Sequence, residues 1–141
     1  MMTFVDTSAL YALLDEDDVN HDRAARWFTK AARDQEAFLT THSYVVVESS
    51  NLTHRRFGSK AVRILFDAFI PVLSVFYVDE DLHDQSVAGY LAALDKRISF
   101  VDRVSFQTMR HLGIDHAFAF DRDFENEGFH VVPSESTLSR E

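Results

Sequence analysis

Asp6, Asp102 and Asp121 each follow a short apolar run, namely Phe4-Val5, Phe100-Val101 and Ala117-Phe118-Ala119-Phe120. Such runs read as strands or as tight turns leading into helices, so each aspartate is expected where one element gives way to the next. In an open parallel sheet the strand ends lie along one edge, and ligands bind there at the switch in strand order. Glu48 joins this set by a different route. Tyr44 and Val45 precede it by four and three residues and Leu52 follows by four, which places it on the apolar stripe of a helix, pointing toward the interior. A carboxylate there is costly unless a cation or hydrogen bonds accompany it.

Hard oxygen donors of this kind select Mg²⁺ or Mn²⁺ over softer ions. A water held by such an ion loses a proton more easily and can attack a phosphodiester, while the metal charge stabilises the leaving oxygen. Without a cation the crowded carboxylates repel one another, and some of their pKa values rise.

Each acid also has an ordinary structural explanation. Asp6 suits the N-cap of a helix starting at Thr7. Ser99-Phe100-Val101-Asp102 has the spacing of a capping box. Asp121 and Asp123 could form an Asx turn. Glu48 could pair with Arg55 or Arg103 in a structural salt bridge. These are four separate explanations, whereas a metal-binding acidic pocket is one.

The elements that must position these acids follow from periodicity. Short apolar runs alternate with 3.6-period segments, the pattern of an α/β domain with parallel strands. Strands are expected at Thr3 to Val5, Ala37 to Leu39, Val72 to Tyr77 (introduced by Pro71), Ala117 to Phe120 and Phe129 to Val132. Ile98 to Phe100 reads as a very short strand or turn. Helices are expected at Thr7 to Leu14, after an Asn20 N-cap through Ala32, at Thr41 to Phe57, from a Ser59 cap through Phe69, at Asp79 to Leu94, and at Val101 to Leu112 with Gly113 as its C-cap.

The chain has 141 residues, 46% of them hydrophobic and 13 of them Phe, which is enough for one domain with a substantial core. The lack of cysteine excludes a disulfide scaffold and any thiolate metal site, and fits a reducing compartment. The N-terminus has no signal-peptide pattern, and the longest apolar stretch, Ile64 to Val78, is broken by Asp67 and Pro71. A cytoplasmic protein with no membrane association is expected. The net charge of −9 counts against a simple nucleic-acid binder. Two divalent ions on four carboxylates would bring that only to about −5, so a nucleic-acid substrate requires a local basic surface.

Four segments together resemble the motifs of PIN domains. Phe4-Val5-Asp6-Thr7-Ser8-Ala9-Leu10 is similar to their opening strand ending in Asp-x-Ser. Val45-Val46-Val47-Glu48-Ser49-Ser50-Asn51-Leu52 looks like their helical glutamate motif, and Ser99-Phe100-Val101-Asp102 like their third acidic motif. Phe118-Ala119-Phe120-Asp121-Arg122-Asp123-Phe124 resembles the closing one. The likeness runs in order over residues 3–132, and its style is that of the VapC-type toxins of bacterial toxin–antitoxin pairs. It implies a three-layer α/β/α fold with a five-stranded parallel sheet, a PIN-like nuclease domain at 1–132 and a polar tail at 133–141. It further implies Mg²⁺- or Mn²⁺-dependent hydrolysis of RNA, a homodimer, and a cognate antitoxin. Carried over residue by residue, Asp6, Glu48, Asp102 and Asp121 become the catalytic metal-site acids. Ser8 becomes an orienting hydroxyl, and Asp123 an accessory acid ranked below the others.

Two acid-poor stretches are candidates for phosphate contacts: Arg55, Arg56, Lys60 and Arg63, with Phe57 for base stacking, and Lys96, Arg97, Arg103 and Arg110. Reduced salt dependence of RNA binding in an Arg55→Ala/Arg56→Ala variant is the expected signature. His21 reads as a capping or packing residue and Trp27 as a packing residue. A phosphatase of the haloacid-dehalogenase type would need an acid two positions after Asp6, where Ser8 stands. A PIN nuclease for RNA processing or structured DNA, and an inactive PIN-like binding module, are the alternatives within the fold.

Overall fold

The computed structural model describes residues 1–134, so most of the expected 133–141 tail lies outside the described residues. Five strands form one sheet: β1 (Met2–Val5), β2 (Phe38–His42), β3 (Ser74–Phe76), β4 (His116–Phe118) and β5 (His130–Val132). Their order is β3-β2-β1-β4-β5, and every neighbouring pair is parallel. The order runs one way from β1 to β3 and the other way from β4 to β5. The reversal therefore falls between β1 and β4, where the crossovers diverge and leave a crevice at the carboxyl ends. The five-stranded α/β architecture is the one expected.

Among the described residues seven α-helices flank the sheet: α1 (Thr7–Leu14), α2 (His21–Arg33), α3 (Ser43–Phe57), α4 (Ser59–Ile64), α5 (Glu80–Ala92), α6 (Phe100–Leu112) and α7 (Arg122–Asn126). Phe4, Leu10, Phe106, Met109, Phe118 and Phe124 are fully buried around the central strands. The Phe106 ring meets Phe124 edge-on at 5.0 Å, and Trp27 on α2 packs against Phe118 at 4.4 Å. Such aromatic contacts add about 0.5–1.5 kcal/mol each beyond the area they bury. Phe4 and Phe118 sit two and three residues before Asp6 and Asp121 and carry their strands into this core.

Several boundaries differ from the expectation. The second strand runs on through Thr40, Thr41 and His42, which the sequence reading had partly placed in a helix. Polar residues persist there because their side chains are satisfied within the sheet: Thr41 Oγ1 donates to the Val5 carbonyl at 2.8 Å and Thr40 Oγ1 to that of Ser74 at 2.8 Å. Ile98 to Phe100 is not a strand, since Ser99 caps α6 directly. Pro71 lies in a 3₁₀ turn that follows a π-helical turn at Leu65–Phe69, so strand β3 begins only at Ser74. Asn20 occupies the N-cap position of α2 without a side-chain cap bond, and Ser59 is the first residue of α4, with Gly58 (φ 87°) before it. Helix α7 was not anticipated. Gly113, at φ 69°, closes α6 as expected.

Candidate active site

Asp6 ends β1 and is the N-cap of α1. One of its oxygens, Oδ2, accepts from the Ser8 backbone N–H at 3.1 Å and from Ser8 Oγ at 2.6 Å. Ser8 Oγ in turn accepts the Phe120 N–H at 2.9 Å. A single hydroxyl thus ties the end of β1 to the segment after β4 and fixes Asp6 beside Asp121. The other oxygen, Oδ1, is buried and has no hydrogen-bond partner. A buried carboxylate oxygen left open in this way costs free energy unless a ligand satisfies it.

Asp102 stands in the first turn of α6, where its backbone N–H donates to the Ser99 Oγ cap at 3.1 Å. Only this half of a capping box is formed. The Asp102 carboxylate instead lines the cleft, although the residue is 91% buried. Asp121 caps α7, accepting the Asp123 N–H at 2.9 Å. The ordinary cap roles and a shared pocket therefore coexist, because the caps at Asp6 and Asp121 each use one carboxylate oxygen and the one at Asp102 uses its backbone N–H.

Carboxylate oxygens of Asp6, Asp102 and Asp121 all lie within 4.8 Å of one another. Glu48 is outside that triad. It lines the same cleft of about 560 Å³ from α3, with Leu52 one turn on, and is half-buried rather than pointing into the core. It has no ion pair within 4.0 Å among the described residues; Arg103 pairs with Glu127 at 3.5 Å instead. Asp123 and Ser8 also line the cleft.

Electrostatics record the crowding. Burial first, then repulsion from Asp6 and a hydrogen bond to Asp121, push the Asp102 carboxyl up to about 9. Burial likewise raises Asp6 to about 6, with the Ser8 bonds opposing and repulsion from Asp121 and Glu48 adding. Asp123 is raised too, by burial and by Asp121. This is the arrangement in which a divalent cation relieves more repulsion than any protein group does. An all-oxygen donor set with one orphaned oxygen fits a hard ion.

His42 was missed in the sequence reading. It is fully buried, caps α3 by accepting the Val45 N–H on Nδ1 at 3.2 Å, and lies 2.8 Å from Ser105 Oγ through Nε2. Ser105 Oγ donates to the Val101 carbonyl at 3.0 Å, so it receives the proton on His42 Nε2. The ring bridges α3, which carries Glu48, to α6, which carries Asp102. Burial holds it neutral, with its pKa lowered to about 3. Its only sequence signal was a histidine between two threonines and a helix start.

Of the basic candidates, Arg97 lines the cleft, and its φ of 57° makes it the only non-glycine with positive φ among the described residues. Arg56 lies over the ring of Tyr11, another cleft residue, at 6.0 Å. Arg110 binds Glu127 at 2.8 Å, and Phe57 packs on Tyr11 at 5.6 Å. Arg103, Arg110 and Phe57 thus have partners within the fold.

Comparison with known proteins places these features. The PIN domain family model matches residues 3–129. The 23S rRNA-specific endonuclease VapC20 of Mycobacterium tuberculosis is 36% identical over 136 residues, spanning 95% of this chain and 100% of that protein. The crystal structure of Mycobacterium tuberculosis VapC20, described as a sarcin–ricin loop cleaving toxin, superposes with a TM-score of 0.78 at 34% identity, covering 92% of this chain and 96% of that one. The protein PAE2754 from Pyrobaculum aerophilum shares the fold, with a TM-score of 0.63 at 17% identity over 99% of this chain and 94% of that one.

Proposed function

The chain belongs to the PIN-domain family, and from that premise we propose that it is a divalent-metal-dependent endoribonuclease acting as the toxin of a type II toxin–antitoxin pair. The observation that carries the reading is the convergence of three carboxylates from β1, α6 and the end of β4 around a buried, unpartnered oxygen. In this reading Asp6, Asp102 and Asp121 hold Mg²⁺ or Mn²⁺, with Glu48 and the accessory Asp123 completing the acidic ring. When bound, the ion supplies charge that offsets the carboxylates, acidifies a water and steadies the departing oxygen of a phosphodiester.

The chain's own residues do the rest. Ser8 holds Asp6 Oδ2, which leaves the buried Oδ1 as the oxygen without a hydrogen-bond partner. His42 and Ser105 keep α3 against α6, which holds Glu48 across from Asp102. Glu48 has no cation partner among the described residues, and in this reading its carboxylate takes a proton from an attacking water. Arg97 is the basic group lining the cleft and meets a phosphate oxygen of the substrate.

RNA is the substrate favoured by full-length similarity to an enzyme named for 23S rRNA cleavage, and 23S rRNA is the first target to try. A cognate antitoxin and a homodimer belong to the same reading. They are supported by apolar side chains left open on α3 and the segment that follows it: Val47, Ile64 and Phe66 are 57%, 47% and 41% exposed. In the same reading residues 1–132 are the nuclease domain, 133–141 a polar C-terminal tail by sequence, and the site of action the cytoplasm.

RNA incubated with Mg²⁺ or Mn²⁺ is expected to be cut by the wild-type protein, with cutting abolished by EDTA, Asp6→Asn or Asp102→Asn. Cleavage that survives EDTA removes the metal mechanism. Failure to cut any RNA, with DNA cut instead, removes the substrate.

A further inference from the structure

Helix α2 carries four charged residues between positions 23 and 33, and all are basic: Arg23, Arg26, Lys30 and Arg33. This occurs in a chain with 23 acids and 14 basic residues. At about 100° per residue the four fall within an arc of roughly 80°, on the side of the helix away from the face that buries Ala24 and Phe28. They form a single stripe, about 15 Å long at about 1.5 Å per residue. Arg26, Lys30 and Arg33 are exposed, and with Ala25 and Thr29 they border a shallow groove of about 470 Å³. The helix dipole accounts for basic residues in the last turn, Lys30 and Arg33, but not for Arg26 in the middle or Arg23 near the start.

The stripe begins at the rim of the acidic cleft. Arg23 donates from Nη1 to Asn20 Oδ1 at 3.4 Å and from Nη2 to the Pro133 carbonyl at 3.2 Å, and its guanidinium lies 5.7 Å from the centre of the Phe120 ring. Asn20 and Phe120 both line the cleft. Positive charge therefore starts where the carboxylate pocket ends and leads away along one helix.

We propose that this face of α2 is an RNA track, on which Arg26, Lys30 and Arg33 bind backbone phosphates of the strand leaving the cleft while Arg23 marks its start. This deepens the endoribonuclease reading and rests on it. The track answers a problem that the charge of −9 poses. An acidic nuclease must hold a polyanion away from its own carboxylates, and guanidinium forks do so without reading sequence. The length of about 15 Å suits a few successive phosphates of one strand.

The test is fluorescence anisotropy of a 5′-labelled RNA stem-loop on wild type and on Arg26→Ala/Lys30→Ala/Arg33→Ala, in EDTA, from 0.05 to 0.3 M NaCl. Alanine is a better helix former at these exposed positions, so the variant keeps its fold, checked by an unchanged melting midpoint. Losing three phosphate contacts should flatten the slope of log K against log[salt] by about 2 and weaken binding about 100-fold at 0.1 M salt. With Mg²⁺, the variant's KM for the stem-loop should rise in parallel while kcat stays within a few-fold. An unchanged salt slope overturns the track. An unchanged slope together with lost binding of polyglutamate reassigns the stripe to an acidic protein partner and also overturns it. If the wild type binds RNA with the predicted slope but never cuts it, the nuclease reading fails and the track stands.

Discussion

Removing divalent ions should make this protein lose stability as pH rises through neutrality, and the effect can be assigned to Asp102. Between pH 6.5 and 9 His42 is neutral in the folded chain, because burial holds its folded value near 3, and the unfolded chain sheds the rest of its His42 proton just above pH 6.5. Asp6, at about 6, is largely ionised in both. Asp102 is protonated in the folded state, at about 9, and ionised in the unfolded one, where the ordinary value is 3.8. The folded state then binds one extra proton, so stability falls with pH by about 1.4 kcal/mol per unit. From pH 6.5 to 8.5 the loss is about 2 kcal/mol, after the small opposing contribution of unfolded His42, and is a large part of a typical domain's total stability. Asp102→Asn keeps the shape and removes the titration. Urea denaturation in EDTA at pH 6.5, 7.5 and 8.5 should show a falling midpoint for wild type and a level one for the variant. Mg²⁺ at a hundred times its Kd should restore about 3 kcal/mol to wild type at pH 8.5 and much less to the variant. A wild-type curve that is level or rising in EDTA would refute the claim that these carboxylates are forced together.

Three further outcomes are expected. Ser8→Ala strips Asp6 Oδ2 of its 2.6 Å bond and leaves the Phe120 N–H without an acceptor; apparent Mg²⁺ affinity, read from activity against metal concentration, should drop about tenfold or more, and unaltered affinity would show that Ser8 does not position Asp6. His42→Gln removes a group that in the folded state stays neutral down to about 3 and in the unfolded chain protonates near 6.5. In EDTA at pH 4.5–5.5 the wild type should lose about 1.4 kcal/mol per unit as pH rises, and the variant about twice that, since the opposing His42 proton is gone; equal slopes would show that His42 is not buried neutral. Arg97→Asn keeps a residue that tolerates the left-handed backbone, so stability should stay within about 0.5 kcal/mol. Its kcat/KM on RNA should fall ten- to a hundredfold, the worth of a charged hydrogen bond of about 1.5–3 kcal/mol, and unchanged kinetics would remove Arg97 from the substrate site.

The parts of the fold that were legible in the sequence were those where local chemistry and tertiary packing agree. Phe4-Val5 ahead of Asp6, the long run into Gly113, and Asp79 at the start of α5 all combine a periodic apolar face with a cap, and each was read nearly to the residue. Strand β2 was cut short because Thr40, Thr41 and His42 look polar, and only the neighbouring strands' carbonyls make them sheet residues. Helix α7 is five residues long and lacks a period to read. The three aspartates could be picked out because each sits at an element boundary and Glu48 because it lies on the apolar stripe of a helix, but the sequence could not show that Glu48 stays apart from the aspartate triad. Nor could it show that Arg103 and Arg110 are taken up by Glu127, which sits between them in space and well beyond them in the chain. The basic face of α2 passed unnoticed because its four residues are separated by apolar ones and align only once wound into a helix.

The most direct check of the metal site is an anomalous difference map from crystals grown with MnCl₂. A peak should stand between the Asp6 Oδ1, Asp102 and Asp121 carboxylates, at about 2.0–2.3 Å from each ligating oxygen. Manganese bound elsewhere, or no peak at those oxygens under conditions where the enzyme cuts RNA, would contradict it.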